Sequence, residues 1–228
     1  MKKTAIILAA GKGTRMNSDV QKQYMLIEDK PVLYYSLKTF EESSADEIIL
    51  VTGEGEKEYC KKNIVDYYNL KKVATIVEGG KERYDSAYNG LKAISGECIV
   101  AIHDAARPLV TGDIIERTFE CAEKYGACVA GVPAKDTIKM VNEKFIITNT
   151  PSRSTMWITQ TPQTFRYEII KDAYDKMILA NDKSITDDSM VVEKYGKTEV
   201  RFVMGSYQNI KITTPEDIDI ASIINRCR

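Results

Sequence analysis

Apolar residues along the chain fall into short unbroken runs separated by longer amphipathic stretches. Thr4–Ala9, Glu47–Val51, Val73–Val77, Cys98–Ile102 and Cys128–Val132 are continuous rather than alternating. That pattern predicts strands buried on both faces, as in a parallel sheet. Helical periodicity marks Pro31–Glu42, Glu56–Tyr68, Glu82–Ile94 and Gly112–Tyr125, with Thr111 as an N-cap for the last and Pro31 in a first turn. Strand-helix-strand repetition at this spacing predicts an α/β fold: a doubly wound, mostly parallel, Rossmann-like sheet.

The rhythm changes after Val132. Thr137–Val141 and Phe145–Thr148 flank Asn142-Glu143-Lys144 and read as a β-hairpin, either covering the core or projecting as an arm. Helices resume near Arg166–Ala180 and Asp187–Tyr195, with Thr186 as the capping residue of the second. A strand at Glu199–Met204 and a closing helix from Thr214 follow. There is no repeat or low-complexity linker, so residues 1–228 are expected to form one domain.

Composition narrows the chemistry. The 228 residues carry 32 basic and 33 acidic side chains, a formal charge of −1, which argues against a polyanion-wrapping protein but not against a local basic pocket. The single histidine, His103, excludes zinc sites built from two or three histidines. Five cysteines without a CxxC pair suit reduced thiols. The N-terminal apolar run, six residues long, is too short for a secretory signal. A cytoplasmic protein is expected.

Ligands of a doubly wound sheet gather at the carboxyl ends of its strands. After the first predicted strand comes Ala9-Ala10-Gly11-Lys12-Gly13-Thr14-Arg15-Met16. Its glycines permit a turn whose amides cradle phosphate oxygens, with Lys12 and Arg15 adding cations. Met16 stands where a dinucleotide fingerprint needs glycine, and no Walker A pair is present, which argues against a dehydrogenase or P-loop kinase. Lys22 is placed either to fold over a polyphosphate or to sit in solvent. After the third strand, Gly79-Gly80-Lys81 lets backbone groups read a base edge, with Arg83 and Ser86 a turn apart on the next helix. Asp104, at the end of the fourth strand, is a natural Mg²⁺ or ribose ligand. Strand alternation turns His103 the other way, favouring a hydrogen-bonded structural histidine. Lys211 precedes the closing helix, either as an edge lysine or as a ligand.

Together the segments LAAGKGTRM, KQY, GGKERYDS, HDAARP, KDTIK, TQTPQTF, ITDD and NIKITTPED resemble the 2-C-methyl-D-erythritol 4-phosphate cytidylyltransferases, in order over residues 8–217. The resemblance implies a nucleotidyltransferase that joins CTP to a polyol phosphate and releases pyrophosphate, with Mg²⁺ on the triphosphate. Ribitol 5-phosphate cytidylyltransferases are the near relatives and the alternative reading. A catalytically idle nucleotide-binding module is a third, disfavoured because it would not need Arg15, Lys22, Arg153 and Lys211 together. By similarity those four are catalytic. Ala9, Ala10, Gly11, Lys12, Gly13, Thr14, Gly80, Lys81, Arg83, Ser86 and Ala105 hold the nucleotide. Thr137, Arg153, Thr161 and Lys211 are expected to hold the second substrate, with Asp104 as the candidate metal ligand, directly or through water. The resemblance also implies a homodimer, joined by a swapped arm at about 134–158 that carries Thr137 and Arg153 to the neighbour's site.

Overall fold

The computed structural model describes residues 1–11 and 20–227. Lys12, Gly13, Thr14 and Arg15, four of the expected site residues, lie outside the described residues. In chain order the elements are β1 (Lys2–Ala9), β2 (Leu26–Ile27), β3 (Lys30–Pro31), α1 (Val32–Glu42), β4 (Glu47–Thr52), α2 (Lys57–Cys60), β5 (Val73–Glu78), α3 (Arg83–Lys92), β6 (Cys98–Asp104), α4 (Gly112–Tyr125), β7 (Ala127–Pro133), β8 (Met140–Val141), β9 (Ile147–Asn149), β10 (Trp157–Arg166), α5 (Tyr167–Ala180), α6 (Asp188–Tyr195), β11 (Arg201–Met204) and α7 (Glu216–Arg226).

Among the described residues, seven strands form one sheet in the order β11-β7-β10-β6-β1-β4-β5. Six run parallel; β10 alone is antiparallel, between β6 and β7. The unbroken apolar runs are explained by two cores, one on each face. Ala5, Ile7, Ala9, Ile48, Leu50, Ala101 and Ala130 face Leu37 and Phe40 of α1 and Ile115 and Phe119 of α4. Ile6, Leu8, Ile49, Val51, Val100 and Ile102 face Leu91 of α3, Tyr174 and Met177 of α5, and Val191 and Val192 of α6. Small residues on the first face admit the phenylalanine rings. Each large side chain so buried contributes about 1.5–3 kcal/mol.

Several local expectations are corrected. The strand β10 has no counterpart among the strands expected from the sequence; its Gln160, Thr161, Gln163 and Thr164 are buried all the same. The second helix is α-helical only over Lys57–Cys60 and then widens into a π-helical turn over Lys61–Asp66. The cap of α6 is Asp187, whose carboxylate accepts from the Met190 amide at 2.9 Å; the Thr186 hydroxyl instead points to the Met190 sulfur. Thr111 does occupy the N-cap of α4 but makes no capping bond through its side chain, and Pro31 sits just before the first turn of α1. The hairpin pairs only as β8 with β9, and its Val141, Phe145, Ile146 and Ile147 are exposed, so it projects as an arm. The five cysteines are free thiols.

Candidate active site

Parallel strands bring the carboxyl ends of β1, β4, β5 and β6 to one edge of the sheet, where a cleft of about 1010 Å³ opens. Ala9, Ala10, Gly11, Lys22, Gly80, Lys81, Arg83, Ser86, Asp104, Ala105 and Lys211 line it. The structure thus gathers eleven expected residues from five separate stretches of chain.

The two glycine turns interlock. A methyl group on Gly79 would lie 2.4 Å from Cβ of Ala10 and 2.7 Å from Oγ of Ser86, and one on Gly80 would lie 2.3 Å from Cβ of Asp85. Side chains are therefore excluded, and backbone lines the cleft. Ser86 fixes that backbone by accepting from the Gly80 amide and donating to the Glu82 carbonyl, both at 3.1 Å.

Lys22 opens a single 3₁₀ turn, Lys22–Tyr24, opposite Gly11. A methyl on Gly11 would be 3.8 Å from the Lys22 Cε. The turn is held by buried Gln23 and by Glu56, a residue that sequence reasoning missed. Glu56 Oε2 accepts from the Tyr24 hydroxyl at 2.7 Å and from the Gly53 amide at 3.2 Å, while Oε1 takes the Gln21 amide. Nothing in the sequence distinguished Glu56 from neighbouring surface glutamates.

Asp104 is the electrostatic centre. Its Oδ1 accepts from Arg83 Nε at 3.0 Å and its Oδ2 from Lys211 Nζ at 2.6 Å. Burial alone would push the carboxyl up; Arg83, Lys211 and Arg107 outweigh it and hold Asp104 well below the usual carboxylate range. Lys211 lies in a loop rather than an edge strand, and the loop is pinned on both sides. Arg107 donates to the Asn209 carbonyl at 2.8 Å, and the Ile212 amide bonds to the Ala106 carbonyl at 2.8 Å.

Arg83 meets no open cleft with its whole guanidinium: Nη1 and Nη2 grip Asp188 at 3.0 and 2.7 Å. Thr161 stands behind the cleft. Its hydroxyl accepts from the Asp104 amide at 3.1 Å and meets His103 Nδ1 at 3.0 Å. Thr137 and Arg153 lie on the exposed arm, where Arg153 donates to the Lys135 carbonyl, and neither lines this chain's own cleft.

His103 is fully buried, as strand alternation suggested. Nε2 faces the Arg107 carbonyl at 3.2 Å, so it carries the proton, and the Thr161 hydroxyl donates to Nδ1. That pattern requires a neutral ring, and burial lowers the pKa from 6.5 to about 4. A depressed histidine stabilises the fold above the unfolded value and loses that stability as pH falls through 6.5 towards 4. The histidine contribution to stability therefore drops by roughly 2 kcal/mol between pH 8 and pH 5. Because the chain has one histidine, its ring-proton resonance reports this directly; a titration midpoint above 6 would refute the assignment.

Among the described residues no three metal-ligating side chains cluster. Asp104 is the one carboxylate among the expected site residues, and a cation there would share its oxygens with Arg83 and Lys211.

The comparisons with known proteins agree on one family. The profile described as 2-C-methyl-D-erythritol 4-phosphate cytidylyltransferase matches residues 3–226. A cytidylyltransferase of that name from Clostridium botulinum is 56% identical over 219 residues, spanning 95% of this chain and 94% of the relative. The namesake from Alkaliphilus oremlandii is 51% identical, spanning 100% and 96%. Among solved structures, the 4-diphosphocytidyl-2C-methyl-D-erythritol synthase of Anaerococcus prevotii superposes with a TM-score of 0.86 at 33% identity, covering 99% of this chain and 96% of that one. The Thermus thermophilus cytidylyltransferase gives 0.80 at 26% identity, covering 99% and 100%. The sequence segments and the sheet both agree with these matches, and the chain belongs to the 2-C-methyl-D-erythritol 4-phosphate cytidylyltransferase family.

Proposed function

We propose that this chain transfers the cytidylyl group of CTP to 2-C-methyl-D-erythritol 4-phosphate. A phosphate oxygen of the polyol substrate attacks the α-phosphorus of CTP. A new phosphorus–oxygen bond forms, the α–β bridge breaks, and pyrophosphate leaves with the electron pair. The observation that carries the reading is the cleft itself, where backbone from two glycine turns faces Lys22 and the Asp104–Lys211 pair.

The inventory suits such a reaction. The attacking phosphate is already an anion, so no side-chain base is needed, and the buried neutral His103 is no loss. Catalysis comes from positioning and from preorganised positive charge around the crowded α-phosphate. Gly11 and Gly80 let bare backbone approach the nucleotide, with Ala9, Ala10, Lys81, Ser86 and Ala105 shaping that end. Lys22 and Arg15 stabilise the charge that develops at the α-phosphorus. Lys211 orients the phosphate of the second substrate. Asp104 would hold Mg²⁺ through a carboxylate oxygen shared with Arg83 or Lys211, and the ion would supply neutralisation of the triphosphate charge.

Thr137 and Arg153 serve a second copy of the chain. Their position on the projecting arm, outside their own cleft, and the exposed apolar residues of that arm support a homodimer in which each arm completes the partner's site. The enzyme works in the cytoplasm.

A panel of polyol phosphates, each incubated with CTP and Mg²⁺ and followed by pyrophosphate release, tests the reading. Turnover with methylerythritol phosphate and little with ribitol 5-phosphate is expected. Turnover of ribitol 5-phosphate alone would sink it.

A further inference from the structure

The segment Ile185-Thr186-Asp187-Asp188 looks in sequence like a helix cap and nothing more. Asp187 does cap α6, but Asp188 does something else. It is 0% exposed, does not line the cleft, and receives both terminal nitrogens of Arg83. The Tyr174 hydroxyl donates to its Oδ1 at 2.6 Å. The charges then alternate towards the cleft: Asp188, Arg83, Asp104, Lys211, drawn from α6, α3, the end of β6 and the loop before α7.

Stability alone does not account for this row. A buried ion pair is about as good as an apolar pair of the same shape, because desolvation offsets the attraction. What the row provides is geometry. The bidentate grip on Asp188 fixes the plane of the Arg83 guanidinium. Only Nε is then left to reach Asp104, and it engages Oδ1, leaving Oδ2 for Lys211. The far end is anchored in the core, since Val191 and Val192 of α6 and Tyr174 of α5 are fully buried.

We propose that Asp188 is a positioning residue for the second substrate, acting through Arg83 and Asp104 to hold the Lys211 ammonium in place. Without Asp188, the freed nitrogens of Arg83 turn to the remaining carboxylate and compete for Oδ2. Lys211 then loses its partner, although its backbone stays pinned by Ala106. The proposal rests on the reading of Lys211 as the residue that orients the phosphate of the polyol substrate.

The test compares Asp188→Asn, Tyr174→Phe and Lys211→Ala with the wild-type enzyme, measuring KM for CTP and for methylerythritol phosphate separately. Asp188→Asn should raise KM for the polyol phosphate roughly tenfold and leave KM for CTP within about twofold, in the range seen when a supporting partner of a site residue is removed. Tyr174→Phe keeps the charge and loosens it, so a shift of about two- to threefold in the same KM alone is expected. If Asp188→Asn does not fold, Tyr174→Phe decides. Both KM values unchanged in a folded variant, or both raised in parallel, overturns the proposal. An unchanged polyol-phosphate KM in Lys211→Ala overturns the reading of Lys211 itself, and the positioning role falls with it. A shift there without one in the other two variants isolates the failure to Asp188.

Discussion

Lys22→Ala and Arg15→Ala are each expected to lose about 10²–10³-fold in kcat, the cost of removing one preorganised donor aimed at charge that develops in the transition state. For Lys22 the argument is structural. Its turn is fixed by buried Gln23 and by the Tyr24–Glu56 bond, so the ammonium is delivered opposite Gly11 without reorganisation at the moment of reaction. For Arg15 it rests on the match between LAAGKGTRM and the family. Because the ground-state triphosphate retains many other contacts, KM for CTP should change far less than kcat. Steady-state pyrophosphate release, with thermal unfolding as a control, checks both variants. Near-normal turnover in the two would remove them from the mechanism.

Heterodimers of a Lys22→Ala chain and an Arg153→Ala chain should regain activity that neither homodimer has. If each arm serves the neighbouring cleft, one site in such a heterodimer lacks both residues and the other is intact. Co-expression with two affinity tags and purification through both should therefore give about half the wild-type activity per dimer. The exposure of Arg153 and its absence from the cleft of its own chain motivate the experiment. No recovery in verified heterodimers would mean that the arm acts on its own subunit.

Much of this architecture is legible in the amino-acid order because parallel strands must be apolar on both faces. Ile6 and Ile7 are buried on opposite sides of β1, and the same logic marks β4, β6 and β7. Once strands are placed, the loops at their carboxyl ends become candidates, and most of the cleft follows. What escapes is polar burial. β10 contains Gln160, Thr161, Gln163 and Thr164, all buried, and a proline, so it carries neither alternation nor an apolar run. Its two glutamines find their partners far away in sequence: Gln163 accepts from the Ser189 amide and Gln160 donates to the Ser206 carbonyl. Asp188 escapes for the same reason. An acidic pair before a helix signals capping, and only the fold reveals that the second carboxylate faces an arginine 105 positions away. Thr161 shows a third limit, where a residue matched to substrate binding supports Asp104 and His103 from behind.

The placement of β10 bears on how the chain is made. β7 emerges from the ribosome before its central neighbour exists, because β10 follows only after the arm, and β11 follows later still. Until residues 157–166 have been synthesised, β6 and β7 each present an unpaired apolar edge, the kind that templates association between chains. The N-terminal half, with β1 already flanked by β4 and β6, can settle early. Closure of the other half waits for a strand that comes directly behind the arm. Emergence of the arm and sealing of the sheet are thus nearly one event in synthesis, and a nascent chain stalled within the arm would be more prone to aggregate than one stalled after α5.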